Sequence, residues 1–240
     1  QMLFAGEANV PDTAVFYRSA NGGSSWISRT IAAEVNFVNA LTVSPDFSTD
    51  QPLFAGTDAG LFWSEDGGDS WTPVDEYANQ SILSLAISPD WPSHAVLLVG
   101  LDAGVFRLLS PDPATGTVRQ PSEHFTALPT NPLALSNDGL LLTAGPHRSV
   151  FASEDGGASW QSLGLGAGYY GFTEVAASPA FTSDQTLFAA QSRLDGIGST
   201  LSRSQNGGQS WSGVLNSDLV TDIAISPGFA VDQTVFAATN

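Results

Sequence analysis

Short apolar runs alternate with polar, glycine-bearing turns along the whole chain, most clearly from Leu53 to Trp71, LFAGTDAGLFWSEDGGDSW. LFAG reads as one strand, Thr57 to Gly60 as a turn and LFWS as a second strand. Glu65-Asp66-Gly67-Gly68 is then a tight polar turn and SW the opening of a third strand. No helix is evident. A hairpin set of this size cannot bury its own apolar face, so such units must stack on neighbours.

The same pattern recurs. SEDGGDSW (Ser64 to Trp71) returns as SANGGSSW (Ser19 to Trp26), SEDGGASW (Ser153 to Trp160) and SQNGGQSW (Ser204 to Trp211), with an eroded copy at SPDPATGT (Ser110 to Thr117). Aligned on the strand before each octet, Gly6, Gly56, Gly100, Gly145, Ala190 and Ala238 fall in step, separated by 50, 44, 45, 45 and 48 residues. A further strand precedes each LFAG-type segment: LTVSPDF, LAISPDW, LALSNDG, VAASPAF and IAISPGF. Four short strands in about 45 residues is the blade period of a propeller. The chain therefore reads as all-β, a β-propeller of four-stranded antiparallel blades forming one domain over 1–240. Its repeat units are 1–29, 36–74, 81–120, 125–163 and 172–215, with a partial unit at 219–240. Five blades is the preferred count, and six or seven follow if the chain is an excerpt of a larger ring. It opens inside a repeat, at QMLFAG, so a cut or processed N-terminus is expected, with any signal peptide out of view. Thr221 to Ser226 is the candidate for the inner strand that the first unit lacks, although Thr234 to Thr239 then competes with Met2 to Gly6 for one slot.

The octets resemble the signature of the Asp-box or BNR-repeat β-propellers, Ser-x-Asp-x-Gly-x-Thr/Ser-Trp, over nearly the whole chain. That family includes sialidases, xyloglucan-type glycosidases, sortilin-like receptor domains and a photosystem assembly factor, so the resemblance implies a fold and leaves function open. It implies structural roles for Ser19, Asn21, Gly23 and Trp26, for Ser64, Asp66, Gly68 and Trp71, for Ser153, Asp155, Gly157 and Trp160, and for Ser204, Asn206, Gly208 and Trp211. The third residue is expected to accept hydrogen bonds from the turn, the Gly pair to permit positive φ, and the Trp to pack between blades. Asn at two of the four third positions suits a turn device better than a cation ligand.

Composition narrows the partners. Charged residues make up only 13%, and 24 Asp and Glu face seven Arg with no Lys, for a formal charge of −17. Phosphate backbones and anionic membrane surfaces are repelled by such a chain, so nucleic acid is not expected as a partner. The absence of Cys removes disulfides, thiolate metal sites and thiol catalysis together. The longest apolar run, Ala95 to Val99, is too short to span a membrane, and no insertion by this segment is expected.

Chemistry, if present, is expected on the face opposite the octets, where the resemblance places the sites of the family's enzymes. The candidate ligand-face residues are Asp75, Glu76, Tyr77, His124, His147, Arg148, Tyr169, Tyr170, Glu174 and Arg193; Glu34, Asp58, Asp102, Glu123 and Asp195 belong to the same loops. A sialidase needs three convergent arginines, yet Arg18, Arg107 and Arg203 sit in third strands. Other glycosidases need two carboxylates across one cleft, for which Asp75, Glu76, Glu123 and Glu174 are available. His94, His124 and His147 lack ligand spacing, and Asp50, Asp184 and Asp232 recur in the SPDF-type turns as turn residues rather than a calcium ladder. The expectation is a non-catalytic binding or scaffolding module with a protein or carbohydrate ligand, without cofactor or metal, extracellular, periplasmic or at the cell surface. The alternatives are a carbohydrate-active hydrolase of this propeller type and a repeat subunit of a larger surface or membrane-associated assembly.

Overall fold

A computed structural model of the chain describes residues 2–6, 15–89, 91, 96–102, 104–109, 118–121, 133–136, 139–145, 149–165, 169–193 and 198–239. They divide into two compact units, 1–102 with 106–120, and 103–105 with 121–240. The eroded octet at 110–117 lies outside the described residues.

In the first unit, strands β1 (Leu3–Gly6), β2 (Val15–Ser19) and β3 (Ile27–Thr30) form a three-stranded antiparallel sheet. Next come β4 (Val38–Val43), β5 (Leu53–Thr57), β6 (Leu61–Ser64) and β7 (Thr72–Pro73), hydrogen-bonded in chain order. Strands β8 (Ile82–Ile87), β9 (Val96–Leu101), β10 (Gly104–Leu109) and β11 (Val118–Pro121) form the third sheet. Every residue of β5 and β6 is buried, as befits strands covered on both faces. Phe54, Tyr77, Ile82 and Leu97 form one core cluster, and Phe16, Val35, Ala55 and Phe62 another.

The second unit repeats the plan. Strands β12 (Leu133–Leu135), β13 (Leu141–Gly145), β14 (Ser149–Ser153) and β15 (Gln161–Ser162) make one four-stranded sheet. Strands β16 (Tyr169–Ala177), β17 (Leu187–Arg193), β18 (Ser199–Ser204) and β19 (Ser212–Ser217) make the next, and β20 (Val220–Ile225) and β21 (Val235–Thr239) a two-stranded sheet. The expectation that Thr221 to Ser226 completes the first sheet is corrected here: these residues pair with β21, from Val220 opposite Thr239 to Ile225 opposite Val235. A short connection makes the local hairpin the nearest partner.

That connection also corrects the expectation of no helix. Three of the SPDF-type turns contain one helical turn: α1 (Phe47–Asp50), α2 (Phe181–Asp184) and α3 (Phe229–Asp232). Four residues are too few to show a helical period, so the pattern hid them. Each ends on a glutamine in the left-handed region, Gln51, Gln185 or Gln233, at φ 62°, 53° and 52°. The last Asp fastens the turn, because its carboxylate accepts the hydroxyl of Ser44, Ser178 or Ser226 at 2.6, 2.5 and 2.6 Å. Its other oxygen accepts the N–H of Thr186 after Asp184 and of Thr234 after Asp232, both at 2.9 Å. After Asp50 the corresponding residue is Pro52, which has no N–H, and Asp50 Oδ1 is buried without a hydrogen bond.

The octets are closed by two side chains each. The hydroxyl of Ser19, Ser64, Ser153 or Ser204 accepts the N–H of Gly23, Gly68, Gly157 or Gly208 at 2.8 to 2.9 Å. It donates in turn to Asn21, Asp66, Asp155 or Asn206. The second hydroxyl changes role with its partner. Ser70 and Ser159 donate to Asp66 and Asp155 at 2.6 Å, whereas Asn21 and Asn206 donate to Ser25 and Ser210 at 2.8 Å. Burial disfavours the Asp66 and Asp155 charges, but the hydroxyl and N–H of Ser70 or Ser159, with the preceding Ser, outweigh it and bring each carboxyl to about 2. Among the tryptophans, Trp160 is buried and Trp71 stands against Phe16, while Trp211 donates to the Leu163 carbonyl at 3.2 Å. Trp26 departs from the packed expectation at 43% exposed.

Candidate functional site

The inner strands β4, β8, β16 and β20 share an irregularity near their start, between Val38 and Ala40, Ile82 and Ser84, Phe172 and Glu174, and Val220 and Asp222. A bulge of this kind leaves one residue unpaired and re-aims the next. In β4 and β8 the next residue is Ala40 or Ser84, whereas in β16 and β20 it is Glu174 or Asp222. The flanking sequences are TEVAAS and TDIAIS. Two neighbouring inner strands of the second unit thus carry a carboxylate at one repeat position.

A cavity of about 330 Å³ opens beside this pair. Its walls include Ala134, Leu135, Val175, Ala177, Ile223 and Ile225, with Ser136 and Glu174 as polar members. Burial pushes the Glu174 carboxyl up to about 7; the Val175 N–H, at 3.1 Å, pulls against the rise and the charge of Asp222 adds to it. A half-buried carboxyl in an apolar wall, poised between its neutral and ionised forms near neutral pH, is suited to meeting either a donor or a cation.

The other expected ligand-face residues are dispersed. Asp75 and Glu76 are exposed on a 3-10 turn, Asp75–Tyr77, in the first unit. Tyr77 on that turn is fully buried in the core cluster, which corrects its placement on a ligand face: a three-residue turn directs its last side chain inward. Tyr169 pairs with Arg193 across β16 and β17, and Tyr170 follows Tyr169 in the same strand. His124, His147 and Arg148 lie outside the described residues, as do His94, Glu123 and Asp195. Asp58 is engaged in its own loop: its carboxylate accepts the N–H of Asn36 and of Phe37 at 3.0 and 3.1 Å. Burial raises the Asp58 carboxyl, but the Asn36 side chain and these N–H groups outweigh it, and the pKa falls. Among the described residues, no three His, Asp or Glu gather as metal ligands, and no helix is long and apolar enough to cross a membrane.

Asp222 was absent from the sequence-derived candidates. Its signal was the match of TDIAIS to TEVAAS, legible once the strands are aligned on their serines.

No family model matches the sequence, and no curated protein does. Solved structures do. The GH74 xyloglucanase from Xanthomonas campestris is similar over 95% of this chain and 40% of its own, with a TM-score of 0.73 and 18% identity. An ancestral GH74 enzyme matches over 94% of this chain and 33% of its own, with a TM-score of 0.68 and 21% identity. YCF48 bound to a D1 peptide matches over 92% of this chain and 68% of its own, with a TM-score of 0.59 and 19% identity. The chain thus spans less than half the length of the GH74 enzymes it matches. At these identities the likeness defines the fold: this is a β-propeller of four-stranded antiparallel blades.

Proposed function

We propose that the chain is a non-catalytic propeller that binds a protein segment, as a binding or scaffolding module, through the inner-strand cavity beside Glu174. The observation that carries this reading is the lining, in which mostly apolar side chains surround two polar ones, Ser136 and the half-buried carboxyl of Glu174. Such a surface takes up apolar side chains and uses its few polar groups to fix their orientation. YCF48, a propeller of similar fold, is bound to a D1 peptide, which supports peptide recognition.

Selection of a random-peptide display library on the purified chain tests it. Recovered peptides are expected to lose binding to Ala176→Trp, which fills the cavity, and to keep binding Asp75→Asn. Failure to recover any binder, or binders indifferent to Ala176→Trp at an unchanged melting temperature, overturns the reading.

A second reading, a carbohydrate-active hydrolase, is favoured by the pairing of a carboxyl held near 7 with a second carboxylate, the two groups that glycosidic cleavage uses. Turnover of xyloglucan or another β-glucan, lost in Glu174→Gln with no fall in melting temperature, promotes this reading above the first.

A further inference from the structure

One position of the repeat, the residue just before the octet serine, is Arg18, Trp63, Ala152 and Arg203 in the four intact copies. At Arg18, Ala152 and Arg203 it lies beside the helical turn of the next sheet. Arg18 donates to the Gly67 carbonyl at 2.8 Å and pairs with Asp69 at 3.3 Å. A Cβ added at Gly67 would meet Arg18, Phe47 and Gln51, so these groups share one cleft. Arg203 lies with its guanidinium carbon 5.7 Å from the Phe229 ring centroid and donates to Gln233 at 3.2 Å. Trp63 stacks on Phe54, which meets Trp91 of the next turn edge-on.

At Ala152 the cleft stands open. A cavity of about 420 Å³ is lined by Ala152, Glu154, Phe181, Gln185 and Gly207. Phe181, Gln185 and Gly207 are the repeat counterparts of Phe47, Gln51 and Gly67. A Cβ at Gly207 would meet Gln185 and Phe181, as one at Gly67 meets Gln51 and Phe47, and the two glycines share their backbone shape at φ 66° and 72°. The cleft that holds an arginine in the first unit is therefore built again in the second without one. Charge follows the same division: beside Arg18 and Arg203 the next octet residue is Ala20 or Gln205, and beside Ala152 it is Glu154, as it is Glu65 beside Trp63.

We infer that the cleft at Ala152 receives an arginine side chain from a partner protein, its guanidinium reaching the Gly207 carbonyl over the Phe181 ring and pairing with Glu154. A guanidinium offers planar donors and a stacking face together, which an ammonium does not. The inference stands apart from the Glu174 cavity, and its test leaves that cavity untouched.

The test titrates Nα-acetyl-arginine amide into the intact chain while the Gly207 amide resonance is followed by NMR, with Nα-acetyl-lysine amide as comparison. Saturable shifts are expected with the arginine probe, and about tenfold weaker binding with the lysine probe. Ala152→Arg supplies the missing side chain in cis, so it is expected to abolish the shifts and raise the melting temperature. Glu154→Gln, at a turn position that leaves the fold intact, is expected to weaken binding several-fold. Arg18→Ala empties the first cleft and is expected to gain a second site, seen at Gly67. No saturable shift in the native chain, equal response to both probes, or binding unchanged in both Ala152→Arg and Glu154→Gln overturns the inference. Should Ala152→Arg fail to fold, Glu154→Gln and Arg18→Ala decide it.

Discussion

Trp71 meets Phe16 edge to face, with ring centroids 5.2 Å apart and planes at 83°, so the octet of one sheet is seated on β2 of the sheet before it. Gly68 makes this approach possible, since a Cβ there would lie 2.2 Å from the Phe16 ring at φ 91°. Phe16→Ala is expected to cost about 3 to 5 kcal/mol, and Trp71→Ala, partly exposed, about 3. A double-mutant cycle by chemical denaturation should return a coupling of about 1 kcal/mol. Additive losses would show that the rings do not interact.

Replacing Pro52 should stabilise the chain. Pro52→Thr supplies the N–H that Asp50 Oδ1 lacks and that Thr186 and Thr234 provide in the sister turns. A hydrogen bond to a carboxylate is worth about 1.5 to 3 kcal/mol, against about 0.5 to 1 for the lost rigidity of proline, leaving roughly 1 kcal/mol gained. Thermal melts measure it. A lower melting temperature would mean that the prolyl ring matters more than the orphaned oxygen.

In the sister turn, Asp184→Ala removes the acceptor of both Ser178 and Thr186 and should cost about 1 to 3 kcal/mol. Added calcium or chelator is expected to leave the native melting temperature unmoved, because both carboxylate oxygens already accept protein hydrogen bonds. A calcium-dependent rise abolished in this variant would reassign the turn as a cation site.

Glu174 gives the stability of the second unit a pH signature. Its folded pKa is raised to about 7 from an ordinary 4.5, so the folded state holds a proton that the unfolded state releases in that window. Stability is full below about pH 4.5 and falls as pH climbs toward 7, by about 1 to 3 kcal/mol after allowance for solvent screening. Asp66 and Asp155 act oppositely: each contribution is present above their ordinary 3.8 and fades as pH falls toward 2. Glu174→Gln should flatten the neutral limb and leave the acid limb intact. A neutral limb unchanged in that variant would show that another group titrates there.

Removing 219–240 should unmask Phe188 and Leu201, which pack with Val220, Ile223 and Phe229. Loss of this cover from a sheet edge is expected to produce aggregation, followed by light scattering. A monodisperse truncated chain with an unchanged melt would show that the last hairpin covers nothing essential.

The strands and octets were legible because tight turns demand Gly and buried strands demand unbroken apolar runs, as at Leu53 to Gly56 and Gly67-Gly68. The site was less so. Glu174 is one of several acids expected on the loop face, yet it lies inside β16 as its partner Asp222 lies inside β20, where an apolar run hides a lone carboxylate. Tyr77 misled because a polar neighbourhood, Asp75-Glu76, said nothing of which way a 3-10 turn sends its third side chain. The importance of Ala152 lies in a side chain that is missing, which only comparison between the copies brings out.

The octet hydroxyls have a further consequence. Because a serine O–H serves as donor or acceptor by a rotation of one bond, the turn closes equally around an amide or a carboxylate, at Asn21 and Asn206 or at Asp66 and Asp155. Surface potential and architecture are thereby uncoupled at these sites: a lineage can shift its net charge one unit at a time, adapting to salt, acidity or a new partner, while every strand stays where it was.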